Sequence, residues 1–493
     1  MNRKVLSRRM FLRAGAMLAG AGALAACGAT PTPQVVEKVV EKEVTKIVEG
    51  TPQVVKETVV VKETQIVEET VVVQQAAQGP TFITYLSYYT SPPFNQTDDE
   101  AIAKFEEQNP NIKVKKMLFP GVDYHDKLHM LASAGDLPDL WNLECKHLID
   151  EVSRGMVLDI TDMFNAQLNL TKDDYWPGEW EKQWFRGKMY LLSTDTSSAI
   201  LFYNKDMFDA KGIPYPPKTW DDPDWTYDKL LEIALKLTEG EGPQRKFGFE
   251  TSRWWVWSYP IVWSFGGLIT NPERTESRMT MPETIDAFRF RQELETKHKV
   301  TPTPAEATEG TDTLFTSNRL GMRTIWFLWS RYINEVPDLH FDIAALPRGK
   351  AGALGRSPSD GDVLASTTKH PKEAFTFALF MGGPEGQDLF NNVYGVGMPT
   401  LKKVAESDSF IHPKVKGLEH LDQTVILDGW RGNHYRRQDV TIKWPEMDKM
   451  ITAEADSLWD GKVTAEEFCK TLDPQITKLL QSIPEEWRGW VGD

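Results

Sequence analysis

TFITYLSYY, Thr81 to Tyr89, is followed at intervals by IKVKKMLF, Ile112 to Phe119, and by DLWNL, Asp139 to Leu143. All three runs are rich in β-branched and aromatic residues, the composition of strands. Between the first two, Thr97-Asp98-Asp99-Glu100 has the form of a capping box. It predicts a helix opening there, with Ile102 and Phe105 turned inward and Asn109-Pro110 ending it. Between the second and third, Asp123 to Ala134 carries Leu128 and Leu131 on one helical face, and Gly135-Asp136-Leu137-Pro138 makes a turn. Strands alternating with helices predict an α/β fold with a parallel sheet and right-handed crossovers. Ligands of such sheets bind beyond the carboxyl ends of the strands. Tyr88 and Tyr89 end the first strand, and Glu144, Lys146 and His147 follow the third, so these residues are expected near a common cleft.

The same style continues along the chain. KMYLLSTDTSSAILFYNKDMF, Lys188 to Phe208, reads as a long extended run ending in a helix start. Thr219 to Thr238 reads as a turn and a helix, Phe341 to Pro347 and Asp362 to Thr367 as strands, and His370 to Val393 as two helices split by Gly382-Gly383-Pro384. Met447, Met450, Ile451, Glu454 and Leu458 lie at helical spacing. Asp460-Gly461 closes that helix, and Thr464-Ala465-Glu466-Glu467 caps the next.

The 493 residues suffice for two domains or one bilobal unit. A net charge of −15 leaves no basic excess to neutralise phosphates, which argues against nucleic acid as a partner. Three cysteines are too few for a disulfide scaffold; whether Cys145 and Cys469 pair stays open. At the N-terminus, Arg3, Lys4, Arg8, Arg9 and Arg13 precede a short apolar run, Ala14 to Ala26, with the length of a signal-peptide core. Ser7 to Leu12 resembles the twin-arginine export motif. Leu24-Ala25-Ala26-Cys27 resembles a lipobox, where the Cys27 thiol would be lipidated and cleavage would leave Cys27 at the N-terminus, so that residues 1–27 read as a twin-arginine-like lipoprotein signal and Cys27 as the membrane anchor. Residues 28–79 are low-complexity, mostly Val, Glu, Lys, Thr and Gln, with a four-residue beat matching neither the strand nor the helix period. They are expected to form a stalk, with a coiled coil or a β-rich oligomerisation segment as the competing reading.

No nucleophile elbow, phosphate loop or zinc spacing occurs, so neither an enzyme nor a cofactor is indicated. His125 and His129 lie four apart on a helix, but no third metal ligand is evident. Taken in order, several blocks resemble the maltose-binding-protein-like family 1 extracellular solute-binding proteins of ABC importers. They are AGDLPDLWNLECKHLIDEVSRGMVLDIT from Ala134, RGKMYLLSTDTSSAILFYNKDMFDAKGIPYPPKTWDD from Arg186, and GKVTAEEF from Gly461. The resemblance implies an extracytoplasmic α/β fold of two lobes with crossing hinge segments and a ligand cleft between them. It implies residues 80–195 and 354–393 in lobe 1, and 196–353 and 394–493 in lobe 2. It also implies a small carbohydrate ligand and delivery to the membrane subunits of an ABC permease. Leu143 falls where maltose-binding members carry an aromatic ligand position, so maltose itself is not implied.

A sugar ring offers one C–H face to an aromatic plane, and its hydroxyls need fixed polar partners. Both residue types gather at the expected cleft edges. Trp254, Trp255 and Trp257 precede Gly266-Gly267. Trp326 and Trp329 follow NRLGMRTI. Asp195 and Thr196, followed by Ser197 and Ser198, occupy the first crossing segment; Arg356 and Asp360 occupy the second, and Trp444 lies in the C-terminal third. Trp254 and Trp257 are the expected stacking platforms. The same transport role with a non-sugar ligand (a polyamine, a peptide or a metal) or a phosphorylated one is the alternative, which Arg253, Arg323 and Arg356 keep open for a phosphate, and a surface-anchored glycan-acting enzyme or adhesin is the less favoured one.

Overall fold

The computed structural model describes residues 34–48, 51–65, 79–88, 92–119, 124–167 and 169–488. The expectations for the signal, Cys27 and Tyr89 lie outside these residues. The chain divides into two units, residues 1–78 and 79–493.

In the first unit, β1 (Gln34–Val48) and β2 (Thr51–Gln65) pair antiparallel along their whole length. The four-residue beat does not prevent strands from forming. The register sets valine opposite valine at Val39↔Val60, Val40↔Val59 and Val44↔Val55, and opposite charges at Glu37↔Lys62 and Glu43↔Lys56. These residue types favour paired strands.

The second unit opens with β3 (Thr81–Ser87), α1 (Pro92–Gln108), β4 (Ile112–Leu118), α2 (Tyr124–Ala134) and β5 (Leu140–Glu144). The chain then runs through β6 (Leu192–Thr196), β7 (Ala199–Asn204), α3 (Tyr227–Leu237), β8 (Phe247–Thr251) and α4 (Tyr259–Phe265). It continues with β9 (Leu320–Trp326), β10 (Phe341–Ala344), β11 (Ser359–Leu364), α5 (Pro371–Met381), α6 (Trp444–Trp459) and α7 (Ala465–Gln481). Helix α1 begins five residues before the capping-box pattern. Pro92 opens it, because proline fixes a helical φ and lacks the N–H that the first turn leaves unbonded. Thr97 and Asp98 are consequently buried inside the helix. The Thr464 capping box is formed as expected, with the Thr464 side chain accepting from Glu467 N.

Two larger sheets, of five and four strands, result, one in each lobe, in addition to smaller two-stranded ones. Their orders are β4-β3-β5-β11-β6 and β8-β9-β7-β10. Neither is wholly parallel, contrary to the sequence expectation. β3 runs parallel to β4 and β5, and β8 parallel to β9. In contrast, β11 runs antiparallel to β5 and β6, and β7 antiparallel to β9 and β10. The reversed strands are those on which the chain crosses between sheets. The first passage is β6 through Ser197-Ser198 into β7. The return leads through Arg356, Ser357 and Pro358 into β11. The passages are bonded together. Thr196 and Met398 exchange both backbone bonds at 2.9 Å, Ser197 N donates to Pro358 O at 3.0 Å, and Thr196 Oγ1 donates to Pro358 O at 2.7 Å.

Each sheet carries apolar cores of its own. Ile83, Tyr85, Phe105, Leu140 and Phe377 pack in the first lobe, and Phe202, Phe249, Met322, Trp329 and Ile343 in the second. A further second-lobe core gathers Trp255, Tyr259, Trp263, Trp444 and Phe468. Cys145 and Cys469 are both buried and both free thiols.

Candidate functional site

The carboxyl ends of β3, β5 and β9 converge with the two passages on a cavity of about 300 Å³. The first lobe contributes Tyr88 just beyond β3, Phe94 from α1, Glu144 ending β5, and Asp360 on β11. The second contributes Trp254, Trp326 ending β9, Leu328 and Tyr332. Ser197 and Pro358 of the passages complete the lining.

The polar side of the cavity is acidic. Lys146 Nζ lies 2.5 Å from Glu144 Oε2, and Arg356 Nη2 lies 3.7 Å from Glu144 Oε1. Burial opposes the charge on Glu144, but Lys146 and then Arg356 outweigh it and hold the carboxyl below its usual range. Tyr88 hydrogen-bonds Asp360; burial first, and then the charges of Asp360, Asp195 and Glu144, push its hydroxyl pKa far up. Asp195, 1% exposed, lies behind Asp360. Burial and then Asp360 raise its carboxyl well above the usual range.

The aromatic side is held from beneath. Trp254 is partly buried, and its indole N–H donates to Asp448 Oδ1 on α6 at 2.8 Å; Trp255 donates to the same oxygen at 2.7 Å. The Arg356 guanidinium is fully buried, 4.3 Å from the Trp326 ring centre and 5.7 Å from that of Trp254. Its Nε donates to Gln438 Oε1. Lys146 reaches from the first lobe to within 5.2 Å of the Trp254 ring. Phe94 and Tyr332 meet edge to face at 5.6 Å across the two lobes.

The structure divides the sequence-predicted residues. Tyr88, Glu144, Trp254, Trp326 and Asp360 line the cavity together. Lys146, His147 and Trp444 line a second cavity, of about 490 Å³, with Asp448 and Lys449. Asp195, Thr196 and Arg356 are buried behind the first cavity. Three tryptophans expected at the cleft belong instead to the cores. Trp255 is 0% exposed among Tyr259 and Trp444, Trp257 is 3% exposed against Trp326 at 4.1 Å, and Trp329 packs on Phe202 at 5.0 Å. The chain enters a tight 3-10 turn over Trp255–Ser258, so Trp254 remains outside while the next rings turn inward.

Phe94, Leu328 and Tyr332 were missed. Of the three, Tyr332 carries a usable signal, an aromatic six residues beyond Trp326; Phe94 follows Pro92-Pro93, a stretch outside the predicted elements. His125 and His129 do not form a metal pair. His125 stacks on His147 with ring centres 3.6 Å apart and bonds Glu151 Oε1 at 3.1 Å, while His129 approaches Asp150 at 3.8 Å. Among the described residues no group of three or more His, Cys, Asp or Glu is arranged to hold a metal.

Two α/β lobes, stitched at crossing segments around an aromatic and acidic cavity, form the architecture of a solute-binding protein. The chain belongs to the bacterial extracellular solute-binding proteins, whose family model matches residues 91–388, more than half its length. A presumed binding protein of Brucella abortus (strain 2308) is 27% identical over 322 residues, which are 64% of this chain and 75% of that protein. The arabinooligosaccharide-binding protein of Bacillus subtilis (strain 168) is 23% identical over 330 residues, 63% of this chain and 72% of that one. An ABC substrate-binding protein of Listeria monocytogenes, solved in complex with cycloalternan, superposes with a TM-score of 0.72 at 22% identity. The match covers 81% of this chain and 98% of that one.

Proposed function

We propose that this chain captures a carbohydrate in the cavity between its lobes and delivers it to an ABC importer. The observation that carries the reading is the pairing of the Trp254 and Trp326 rings with Glu144, Asp360 and Ser197 around one cavity. Aromatic faces cover the apolar side of a sugar ring, and carboxylates and hydroxyls hold its rim. The Bacillus relative, named as an arabinooligosaccharide-binding protein, supports the same class, and the Listeria structure solved with cycloalternan has the same fold. Hinge closure about Ser197-Ser198 and Arg356–Pro358 would bring the lobes together on the ligand, and residues 80–195 with 354–393 would move as one lobe against the rest. Export through a twin-arginine-like signal and anchoring by lipid at Cys27, with residues 28–79 as spacer, would place the protein outside the cytoplasm on a membrane.

The phosphorylated-ligand alternative loses ground, because the arginines it needs are committed. Arg253 pairs with Glu295 at 2.7 Å and Asp460 at 2.6 Å, Arg323 pairs with Glu250 at 2.7 Å, and Arg356 is buried behind the tryptophans. Among the described residues, the cavity lining holds two carboxylates and no cation.

Tryptophan fluorescence and thermal shift against mono- and oligosaccharides test the reading. A ligand at a hundred times its dissociation constant should stabilise by about 2.7 kcal/mol. If no sugar at millimolar concentration moves the emission or the melting temperature, the carbohydrate reading fails.

A further inference from the structure

We infer that Lys182 is a positioning residue for solute capture. Its ammonium pins both passages from behind, so that the residues between the pinned ones face the cavity. The inference rests on the carbohydrate-capture reading above and concerns what holds that site in shape.

Along each passage, cavity residues alternate with bonded ones. In the first, Ser197 lines the cavity, whereas Thr196 and Ser198 are fully buried. In the return, Pro358 and Asp360 line it, whereas Ser357 and Ser359 are buried. Successive side chains of an extended chain point to opposite sides, so the buried set lies behind the wall that the solute would meet. This set is joined across the passages. Thr196 Oγ1 and Ser357 Oγ lie 2.6 Å apart, and Ser198 Oγ lies 3.4 Å from Ser357 Oγ.

Lys182 stands at the back of the same set. It lies in the 3-10 turn Glu181–Gln183 and is 2% exposed. Gln183 ties this turn to the first sheet, accepting from Ser193 N on β6 at 3.1 Å. Lys182 Nζ donates to the Ser357 carbonyl oxygen at 2.8 Å, to Ser359 Oγ at 2.9 Å and to Glu179 Oε1. These engage all three donors of an ammonium. Glu179, itself fully buried, accepts from Ser359 Oγ with its other oxygen. The second lobe meets the same place through Trp430, a member of its core on the helix Thr424–Arg431. The ring centre of Trp430 is 5.5 Å from Lys182 Nζ, and its indole N–H donates to Ser198 Oγ at 3.1 Å.

Stability does not account for the pair. Taking two charges out of water is costly, and replacing a buried ion pair by apolar residues of similar volume is often neutral or stabilising. An ion pair supplies direction instead, because its donors and acceptors fix the groups they bond. Here those groups are Ser357 and Ser359, on either side of Pro358 and next to Asp360.

The test compares the full chain with the double variant E179Q/K182M, which removes both charges together and leaves neither buried alone. Its melting temperature should stay near that of the parent. Amide hydrogen exchange of the two proteins without sugar should nevertheless differ. Peptides spanning residues 194–200 and 355–361 should exchange at least tenfold faster in the variant, while those of β3 and β8 stay unchanged. Glucose, maltose, maltotriose, arabinotriose and raffinose are then titrated by tryptophan fluorescence, and any that binds the parent should bind the variant at least tenfold more weakly. S359A keeps both charges and removes one bond from each; it should show the same local changes at several-fold size, and it decides if the double variant does not fold. Unchanged exchange in the passages, or exchange raised equally in β3 and β8, overturns the inference. So does a sugar that keeps its parental affinity. If no sugar of the panel binds the parent, the carbohydrate reading falls, and the exchange comparison alone decides whether Lys182 holds the passages.

Discussion

Asp448 Oδ1 accepts the indole N–H of Trp254 at 2.8 Å, and the same oxygen accepts that of Trp255 at 2.7 Å. One carboxylate on α6 thus fixes both a ring at the cavity wall and a ring in the core beneath it. The two rings respond differently to its loss. Trp254 is partly exposed and can turn to water, whereas Trp255 is fully buried and would keep an orphaned donor, at a cost of about 1–3 kcal/mol. Asp448→Ala should therefore lower stability by that order and weaken ligand binding by freeing the Trp254 ring. Asp448→Asn keeps an acceptor and should restore most of both. Chemical denaturation and ligand titration of the two variants measure this; equal stability of D448A and the parent would refute the anchoring role.

Trp254 and Trp257 are three residues apart and should fail in opposite ways. Trp254→Ala should cost about 2 kcal/mol of binding, the scale of an interface anchor, with the smaller loss of stability. Trp257 is 3% exposed and supports Trp326 from behind. Trp257→Ala should cost about 3–5 kcal/mol of stability, as large core truncations do. Unfolding by urea and fluorescence titration separate the two effects. A Trp254→Ala variant that is grossly unstable yet retains affinity would reverse the assignment.

The contrast shows which layer of the molecule was readable from residues. Period and cap signals located α2, α6 and α7, because each is set by local spacing: Leu128 on one face of α2, Met447 and Ile451 on one face of α6, and Thr464 as the cap of α7. Tyr88, Glu144 and Trp326, named from the sequence, lie at or just past strand ends and line one cavity. What could not be read was which ring of Trp254, Trp255 and Trp257 faces out. That depends on a 3-10 turn and on Asp448, which lies 194 residues beyond Trp254. The antiparallel strands β7 and β11 were likewise hidden. Their direction follows from passages between sheets, and a strand's residues do not encode it.

Asp98 makes stability depend on pH. It is buried within α1, and burial raises its carboxyl to about 7, although the Ser87 hydrogen bond and Lys116 oppose the shift. Unfolded, the group titrates near 3.8. Between these values the folded chain holds a proton that the unfolded chain has released. Through this group, stability therefore falls as pH rises from about 4 to about 7 and is level above that, by roughly 1.4 kcal/mol for each unit between the two pKa values. Asp98→Asn removes the slope. Urea unfolding at pH 4.5 and pH 8 should show the variant gaining on the parent at the higher pH. An unchanged difference between the two pH values would mean that Asp98 is ionised in the fold.

Two glycines beside Asp360 and Asp195 test how tightly the passages are packed. A Cβ on Gly361 would lie 2.4 Å from the Leu192 carbonyl oxygen, and one on Gly397 would lie 2.8 Å from Asp195 Oδ2. The first obstacle is backbone, paired across β11 and β6, next to the register shift at Asp360/Gly361. It cannot retreat without parting the sheet. The second is a side-chain oxygen, which can move, though Asn391 Oδ1 and the Thr196 carbonyl oxygen, each 3.2 Å from the same Cβ, limit where the methyl can go. Gly361→Ala should therefore be the more destabilising, beyond the roughly 1–3 kcal/mol typical of overpacking. Gly397→Ala should stay folded at a cost within that range, but its displaced Asp195 carboxylate should alter ligand affinity by several-fold. Melting temperatures and titrations of the two variants decide the matter. If Gly397→Ala leaves affinity untouched while Asp360→Asn lowers it, Asp195 has no influence on the cavity and Asp360 acts alone.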